Sequence, residues 1–347
     1  MHPFLGVMGS MKILVCSYHY APEVGAIPTV TRLLAQEYAR AGHQVTVLTH
    51  IPAPPDFDLN APYRVVRRTS FFHAVLLGIQ ADVVHFNNIS LRFLIPLALL
   101  FKPIFVTHQE WLARYHGGIG WQDRIKRLIL RLVHNVAVSE PVARLLPARS
   151  HLIGNPFDRA SFLPWHDMVR DRDIVYIGRL TTEKGCDIAL RAIGQLAGQG
   201  IYATVTILGD GPEREYLEAL AASMAIADQV QFLGLVTENL GQILARHKVM
   251  VIPSRRSEPF GIVALEGIAA GCAVVASSSG GLPEAVGPCG LLFPAGNVAA
   301  LAAALKQALV DDKTRAALVA AGPAHLEQFA PSVIAAKYLE LFESAAK

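Results

Sequence analysis

The sequence predicts an α/β protein made of two doubly wound, Rossmann-like domains. Strand-like apolar runs alternate with helix-like periods almost from end to end, which is the mark of parallel β-α-β units with helices over both sheet faces. The rhythm breaks once, in a stretch rich in Pro, Asp and aromatic residues between Asn155 and Arg172, and then restarts. The chain is 347 residues long, 52% hydrophobic and only 17% charged, enough for two domains with substantial cores.

In the first half, Lys12–Ser17 reads as a strand, Ile27–Ala41 as a helix and Gln44–Thr49 as a strand. Tyr63–Arg67 and Asp82–Phe86 follow as strands, then Pro103–His108 after an apolar helix. Asn135–Val138 is a short buried strand that leads into a helix entry at Ser139-Glu140. In the second half the strands are Asp173–Ile177, Ala203–Leu208, Gln229–Leu233, Val249–Ile252, Ala273–Ala276 and Gly290–Phe293. Asp187–Gln199 and Glu213–Ala225 supply helices between them. The expected domains are residues 1–160 and 161–328, with a last segment at 329–347. Two such sheets are expected to turn their carboxyl-end loops toward a central cleft.

Composition excludes several classes. A formal net charge of +3 is nearly neutral for this length and argues against a nucleic-acid-coating chain. Cys16, Cys186, Cys272 and Cys289 are scattered, without a C-x-x-C pair or a Cys/His cluster at zinc spacing, as in a reducing cytosol. The first ten residues lack a basic start and a long apolar core, so they read as a loose extension ahead of Met11-Lys12-Ile13-Leu14-Val15. Arg92, Lys102 and two prolines interrupt the apolar stretch Leu91–Val106, and no uninterrupted run of ~20 apolar residues appears. The expected location is the cytoplasm, with the inner face of the plasma membrane as the alternative.

The most informative run is Glu258-Pro259-Phe260-Gly261-Ile262-Val263-Ala264-Leu265-Glu266. It places two carboxylates eight positions apart, between a strand-like stretch and a helical one. If the helix starts near Gly261, its free N–H groups and dipole form a seat for phosphate. Glu258 then stands at the mouth and Glu266 one to two turns along, where a fixed carboxylate can accept two hydrogen bonds from a vicinal diol. Arg179 and Lys184 follow another strand, on a loop bracketed by Gly178 and Gly185, where cations can neutralise a diphosphate leaving group.

These segments resemble the E-x7-E signature and companion motifs of glycosyltransferase family 4, retaining enzymes of the GT-B fold. Ile177 to Gly185 looks like the family's G-R-L-x-x-x-K-G loop and Leu208-Gly209-Asp210-Gly211-Pro212 like its G-x-G-P turn. Val230-Gln231-Phe232-Leu233-Gly234 is similar to its V-x-F-x-G strand, and Gly280-Gly281-Leu282-Pro283-Glu284 to its G-G-x-x-E element. The resemblance is dense from about Asp173 to Val310. It implies transfer of a sugar from a UDP- or GDP-linked donor to an acceptor hydroxyl, with retained configuration and no metal or cofactor beyond the donor.

The resemblance also implies site roles. Arg179 and Lys184 are the phosphate-binding pair, Glu258 contacts the transferred sugar, and Glu266 holds the ribose. Backbone amides of Phe260, Gly261, Ile262 and Val263 meet sugar and phosphate, with Gly178 and Gly209 shaping the donor loops and the base lying against Phe232 to Val236. Gly25 lies in the first βα loop, where family members often carry Gly-Gly and this chain has Gly25-Ala26. His108, at the end of a strand, corresponds to a histidine near the reacting sugar, and His85 is a weaker candidate. The first domain would hold a glycan or lipid-linked acceptor, the second the nucleotide sugar, and the Pro331–Phe342 helix would pack back on the first. Family habit points to bacterial cell-surface polysaccharide, lipopolysaccharide or glycolipid assembly. The alternatives are a nucleotide-sugar epimerase of the same fold and a non-catalytic sugar-nucleotide-binding subunit.

Two further patterns complete the reading. D-x-D occurs at Asp56-Phe57-Asp58 and Asp171-Arg172-Asp173, in a Pro-rich loop and in the linker, both poor places for a donor metal. Between Trp111 and His134, Arg114, Arg124, Lys126, Arg127 and Arg131 flank an apolar stripe of Trp121, Ile125, Leu128, Ile129 and Leu132. An ordinary core-facing helix is the default there; a basic amphipathic helix over 121–134 touching anionic membrane is the alternative.

Overall fold

The computed structural model describes residues 9–98, 100, 102–112 and 121–346. The loose extension expected at 1–10 lies outside these residues except for Gly9 and Ser10. Two compact units emerge: Met1–Pro156 together with Pro331–Lys347, and Phe157–Ala330. The chain leaves the first unit at Pro156 and returns at Pro331, against expected divisions after residues 160 and 328.

The first unit runs β1 (Lys12–Cys16), α1 (Ala26–Arg40), β2 (Gln44–Thr49), β3 (Arg64–Arg67), α2 (Phe71–Gln80), β4 (Val83–Asn87) and α3 (Leu91–Ala98). It continues through β5 (Ile104–His108), α4 (Trp121–Ile129), β6 (His134–Ala137), α5 (Glu140–Ala143) and β7 (Ser150–Leu152). All seven strands are parallel, in the order β3-β2-β1-β4-β5-β6-β7. Strands buried on both faces need near-continuous apolar sequence, and Val83–Asn87 and Ile104–His108 are buried at every position. The order reverses between β1 and β4, so the loops after these two strands splay apart and leave a crevice.

The second unit begins with α6 (Arg159–Phe162), β8 (Arg172–Ile177), α7 (Cys186–Ala197), β9 (Val205–Leu208), α8 (Arg214–Ser223) and β10 (Val230–Gly234). Then come α9 (Leu240–Ala245), β11 (His247–Ile252), α10 (Ile262–Ala269), β12 (Ala273–Ser277), α11 (Leu282–Val286) and β13 (Gly290–Phe293). Helices α12 (Val298–Val310), α13 (Asp312–Ala320) and α14 (Gly322–Glu327) close it. Its six parallel strands follow the order β10-β9-β8-β11-β12-β13, with the reversal between β8 and β11.

The last helix, α15 (Pro331–Ala346), belongs to the first unit and packs against α1. Tyr338 Oη lies 2.9 Å from Thr107 Oγ1, and the Phe342 ring sits 4.7 Å from Phe105 and 5.6 Å from Tyr38 between centroids. The opposite sheet face is covered by α2, α3 and Leu130, through Leu77, Phe93, Leu94 and Leu97 against Leu14, Val84 and Phe86.

Two expectations fail here. The helix over 121–134 stops at Ile129, because His134 to Ala137 is taken up as β6 beside β5; residues 113–120 lie outside the described part. His85 is not at a strand end but in the middle of β4, fully buried, with Nε2 2.9 Å from Thr107 Oγ1 and its ring 4.8 Å from Tyr338. Burial pushes its pKa down to about 3, so it is a neutral core histidine and no part of a site.

Candidate functional site

At the reversal in the second sheet, the loops after β8 and β11 carry most of the residues singled out in the sequence. Gly178 extends β8 by donating its N–H to Leu208 O at 3.0 Å. Leu180 is fully buried and pinned to the neighbouring turn: its N–H reaches Asp210 O, and Glu213 N–H reaches Leu180 O. Arg179, between them, is left exposed. Gly209 permits this close approach. It has φ +135°, and a Cβ there would stand 1.9 Å from Gly178 O.

Lys184 ends one 3-10 turn, Thr182–Lys184, and its Nζ lies 2.5 Å from Glu258 Oε1. Ser254 Oγ donates to the same oxygen at 2.8 Å. The main chain of Glu258 is held too: Gly281 N–H donates to its carbonyl at 2.8 Å, and a Cβ on Gly280 would strike that oxygen at 2.1 Å. Glu258 is thus locked by the G-G-x-x-E segment, and Lys184 is brought to it across 74 residues of sequence.

Sequence reasoning missed the clamp that joins these loops. Arg255 donates through Nη1 and Nη2 to the two carboxylate oxygens of Asp187, at 2.9 and 2.6 Å, and the N–H groups of Arg255 and Arg256 both reach Glu183 O. A planar fork on a carboxylate fixes orientation as well as distance. The available signal was an acidic residue in the first turn of α7 and a cation just beyond β11.

Helix α10 opens on Gly261, at φ +100°, with no side-chain cap over its first turn. Phe260 turns its ring inward, 3% exposed and 5.5 Å from Phe329, so that position offers backbone rather than side chain. Ile262 is buried and Val263 partly so. One turn on, Glu266 is partly buried, its carbonyl takes Ala270 N–H at 3.0 Å, and its carboxyl has no hydrogen-bond partner among the described residues. Burial, helped by the charge of Asp158, pushes its carboxyl up to about 7. Val236 follows the end of β10, whose Gly234 carbonyl accepts Gly209 N–H at 2.7 Å.

In the first unit, the reversal between β1 and β4 holds a cavity of about 230 Å³ lined by Tyr18, His19, Ile27, Asn87, Asn88 and Ser90, with Glu110. Asn88 sits at φ +76° and donates to Glu110 Oε2 at 3.0 Å. Below it, Gln109 and Asn155 exchange side-chain amide bonds at 2.8 and 2.7 Å, and Gln109 also holds Asn87 at 2.9 Å. Only the Tyr18–Ile27 loop of this cavity was singled out in the sequence. Gly25, exposed at φ +155°, precedes α1 on that loop.

His108 does close β5, but 1% exposed, with Nε2 3.0 Å from Asn135 Oδ1. Asn135 spends its own amide on Leu130 O and Val133 O, so its oxygen must accept and His108 Nε2 must donate. Burial lowers the His108 pKa and keeps the ring neutral. Three of the four D-x-D aspartates are otherwise engaged. Asp58 takes the Arg67 guanidinium at 2.7 and 2.8 Å, Asp171 pairs with Arg246, and Asp173 holds Lys248 at 2.8 Å. Among the described residues no three His, Cys, Asp or Glu side chains cluster as a metal site.

Two Rossmann-like sheets, each with loops gathered at its strand reversal, define the GT-B class of fold. Comparison with known proteins agrees. The Anabaena protein HepE, crystallised with UDP, superposes with a TM-score of 0.82 at 20% identity over 96% of this chain and 100% of that one. Sucrose-phosphate synthase from Thermosynechococcus elongatus gives 0.78 at 22% identity over 96% and 98%.

A family model described as "Glycosyl transferases group 1" matches residues 167–325. An uncharacterized glycosyltransferase of Methanocaldococcus jannaschii is 37% identical over 327 residues, covering 80% of this chain and 83% of its own. The glycogen synthase of Mycobacterium tuberculosis is 28% identical over 363 residues, covering 87% and 86%. The chain belongs to the group 1 glycosyltransferases.

Proposed function

We propose that the protein moves a sugar from a nucleoside diphosphate donor to an acceptor hydroxyl, with retention of anomeric configuration and without a metal or cofactor. The observation that carries this is the convergence of Lys184, Ser254 and Glu258 beside the uncapped first turn of α10. In this reading Lys184, Arg179 and the amides of Phe260 to Val263 meet the donor phosphates. Their positive charge is matched to the negative charge that grows on the leaving diphosphate as its bond to the anomeric carbon breaks.

Glu258, freed from Lys184 by the incoming phosphate, accepts hydrogen bonds from the sugar hydroxyls. Glu266 takes the ribose diol, which its unpartnered and partly desolvated carboxylate suits. The base lies along Val236. The acceptor oxygen attacks the face that the diphosphate leaves, and its proton passes to the departing phosphate oxygen. No protein nucleophile is required, so catalysis reduces to positioning and charge stabilisation. Neutral His108 can offer only its remaining nitrogen, as an acceptor.

The first unit's cavity is assigned to the acceptor, with Asn88, Ser90 and Glu110 reading hydroxyls. HepE was crystallised with UDP, which favours a uridine donor over a guanosine one. Surface polysaccharide, lipopolysaccharide or glycolipid assembly is the proposed setting.

A thermal-shift panel of UDP- and GDP-sugars, followed by donor hydrolysis without acceptor, tests the reading. The expected result is a rise in melting temperature with one nucleotide series and slow release of the diphosphate, both lost in Lys184→Ala. No shift with any uridine or guanosine diphosphate compound would remove the donor assignment. Binding without hydrolysis or transfer would mark a sugar-nucleotide-binding subunit instead.

A further inference from the structure

Helix α2 is apolar on the wrong side. Its sequence, Phe71-Phe72-His73-Ala74-Val75-Leu76-Leu77-Gly78-Ile79-Gln80, contains no Asp, Glu, Lys or Arg. Ala74, Leu77 and Gly78 face the core, as a domain helix requires. Yet Phe72, Leu76 and Ile79, spaced as one stripe at helical period, lie on the outer face at 78, 56 and 53% exposure, with Phe71 at 59%. A helix that is hydrophobic all round is normally covered on all sides.

The neighbouring helices extend this surface. Helices α2 and α3 pack together, and α4 leads into Leu130 on the same sheet face. Ile95 of α3 is 46% exposed, and Leu128 and Leu132 are 61 and 81% exposed. Charge on the helices of this layer is mostly positive. Helices α2, α3 and α4 with Leu130–Leu132 hold Arg92, Arg124, Lys126, Arg127 and Arg131 against Asp123, in a chain whose net charge is only +3. Arg68, Arg92, Arg124 and Arg131 are exposed, while α2 and α3 carry no acid at all.

We infer that the outer face of α2, α3 and the Leu128–Leu132 segment docks on an anionic lipid bilayer. Apolar side chains enter the interface and the arginines meet lipid phosphates, the combination that interfacial binding needs. A second copy of the chain fits worse. A two-fold pairing across this face would set Arg92, Arg124, Arg127 and Arg131 against themselves, with Asp123 the one carboxylate on α2, α3 and α4 to answer them. Helices α2 and α3 both start at the carboxyl edge of the sheet, where Asn88 and Ser90 of the cavity immediately precede α3. Docking would therefore bring the cavity rim to the membrane surface. That consequence rests on the acceptor assignment above; the docking itself does not.

The test is co-sedimentation of the whole chain with vesicles of phosphatidylglycerol and phosphatidylcholine, beside vesicles of phosphatidylcholine alone. Binding is expected only to the anionic vesicles and is expected to weaken with salt. It should fall about tenfold or more when Phe72→Ser and Leu76→Ser are combined, since both rings and branches are lost from the interface. Tyr202→Ser, which removes an apolar group 73% exposed on the second unit, should leave binding unchanged. Circular dichroism and nucleotide binding serve as fold controls and need no membrane. The inference is overturned if no binding occurs at low salt, or if the double variant binds as tightly as the parent. It is equally overturned if the parent sediments as a dimer that the double variant dissolves, because the face is then a self-interface.

Discussion

The two strand reversals of this molecule are topologically alike and chemically opposite. In the second unit the loops are locked by backbone against backbone. Cβ atoms added at Gly209 and Gly280 would stand 1.9 and 2.1 Å from the carbonyl oxygens of Gly178 and Glu258. In the first unit the loops are held by side-chain amides, and the glycine on them, Gly25, has nothing nearer than Pro28 Cδ at 3.9 Å. Backbone packing tolerates only one residue type, whereas an amide network can be rebuilt from many. A site made the first way writes itself into the sequence as glycine motifs; a site made the second way does not.

Lys184→Ala offers the strongest way to sharpen that contrast. It should lower kcat/KM by about 10²-fold or more, with the fold intact, if as proposed the lost charge faces the leaving diphosphate. Steady-state kinetics beside a melting curve checks both halves, and an unaltered rate would sink the donor assignment. Gly209→Ala should act differently, destabilising the protein by roughly 3 kcal/mol or more through the collision with Gly178 O and the positive φ. Urea denaturation measures it.

In the cavity proposed for the acceptor, Glu110→Ala should raise the acceptor KM by about tenfold, one charged hydrogen bond, while donor hydrolysis stays unchanged. A change in donor hydrolysis would place Glu110 outside the acceptor cavity's role. Gly25→Ala should be the mildest, about 1 kcal/mol from its φ alone, with open space around the methyl. If it proves as damaging as Gly209→Ala, the distinction between the two reversals fails.

Glu266 adds a pH test. Its folded pKa of about 7 stands above the ordinary 4.5, so the native state holds more protons than the unfolded chain between those values. Stability contributed by the protonated carboxyl is therefore present at low pH and lost as pH rises through that window. Glu266→Gln should gain melting temperature over the parent on going from about pH 5 to pH 8, while nucleotide affinity falls at both. A pH-independent difference would mean the carboxyl is solvated.

How much could be read beforehand follows from the same contrast. The segments that carry Arg179, Lys184, Glu258 and Glu266 stand out in the sequence because glycines bracket them at fixed spacing, and the restart of the strand rhythm gave both sheets. The Arg255–Asp187 clamp was not, since an ion pair between residues 68 positions apart leaves no local pattern. Nor were Asn88, Gln109 and Asn155, polar residues of ordinary loops whose meaning comes only from their partners. His85 misled because a histidine among apolar residues reads the same whether it ends a strand or fills a core. The outward stripe on α2 was hidden in plain sight, since apolar periodicity does not say which side faces water.

The last helix carries one more consequence. Tyr338 and Phe342 complete the interior around His85, Tyr38 and Thr107, yet they are made only after the whole of the intervening unit has been synthesised. The portion synthesised first is thus finished last, and during translation it must wait with one flank of its sheet uncovered. Chaperones that bind bare apolar surface should find their target in the nascent amino-terminal half, not in the carboxyl-terminal one.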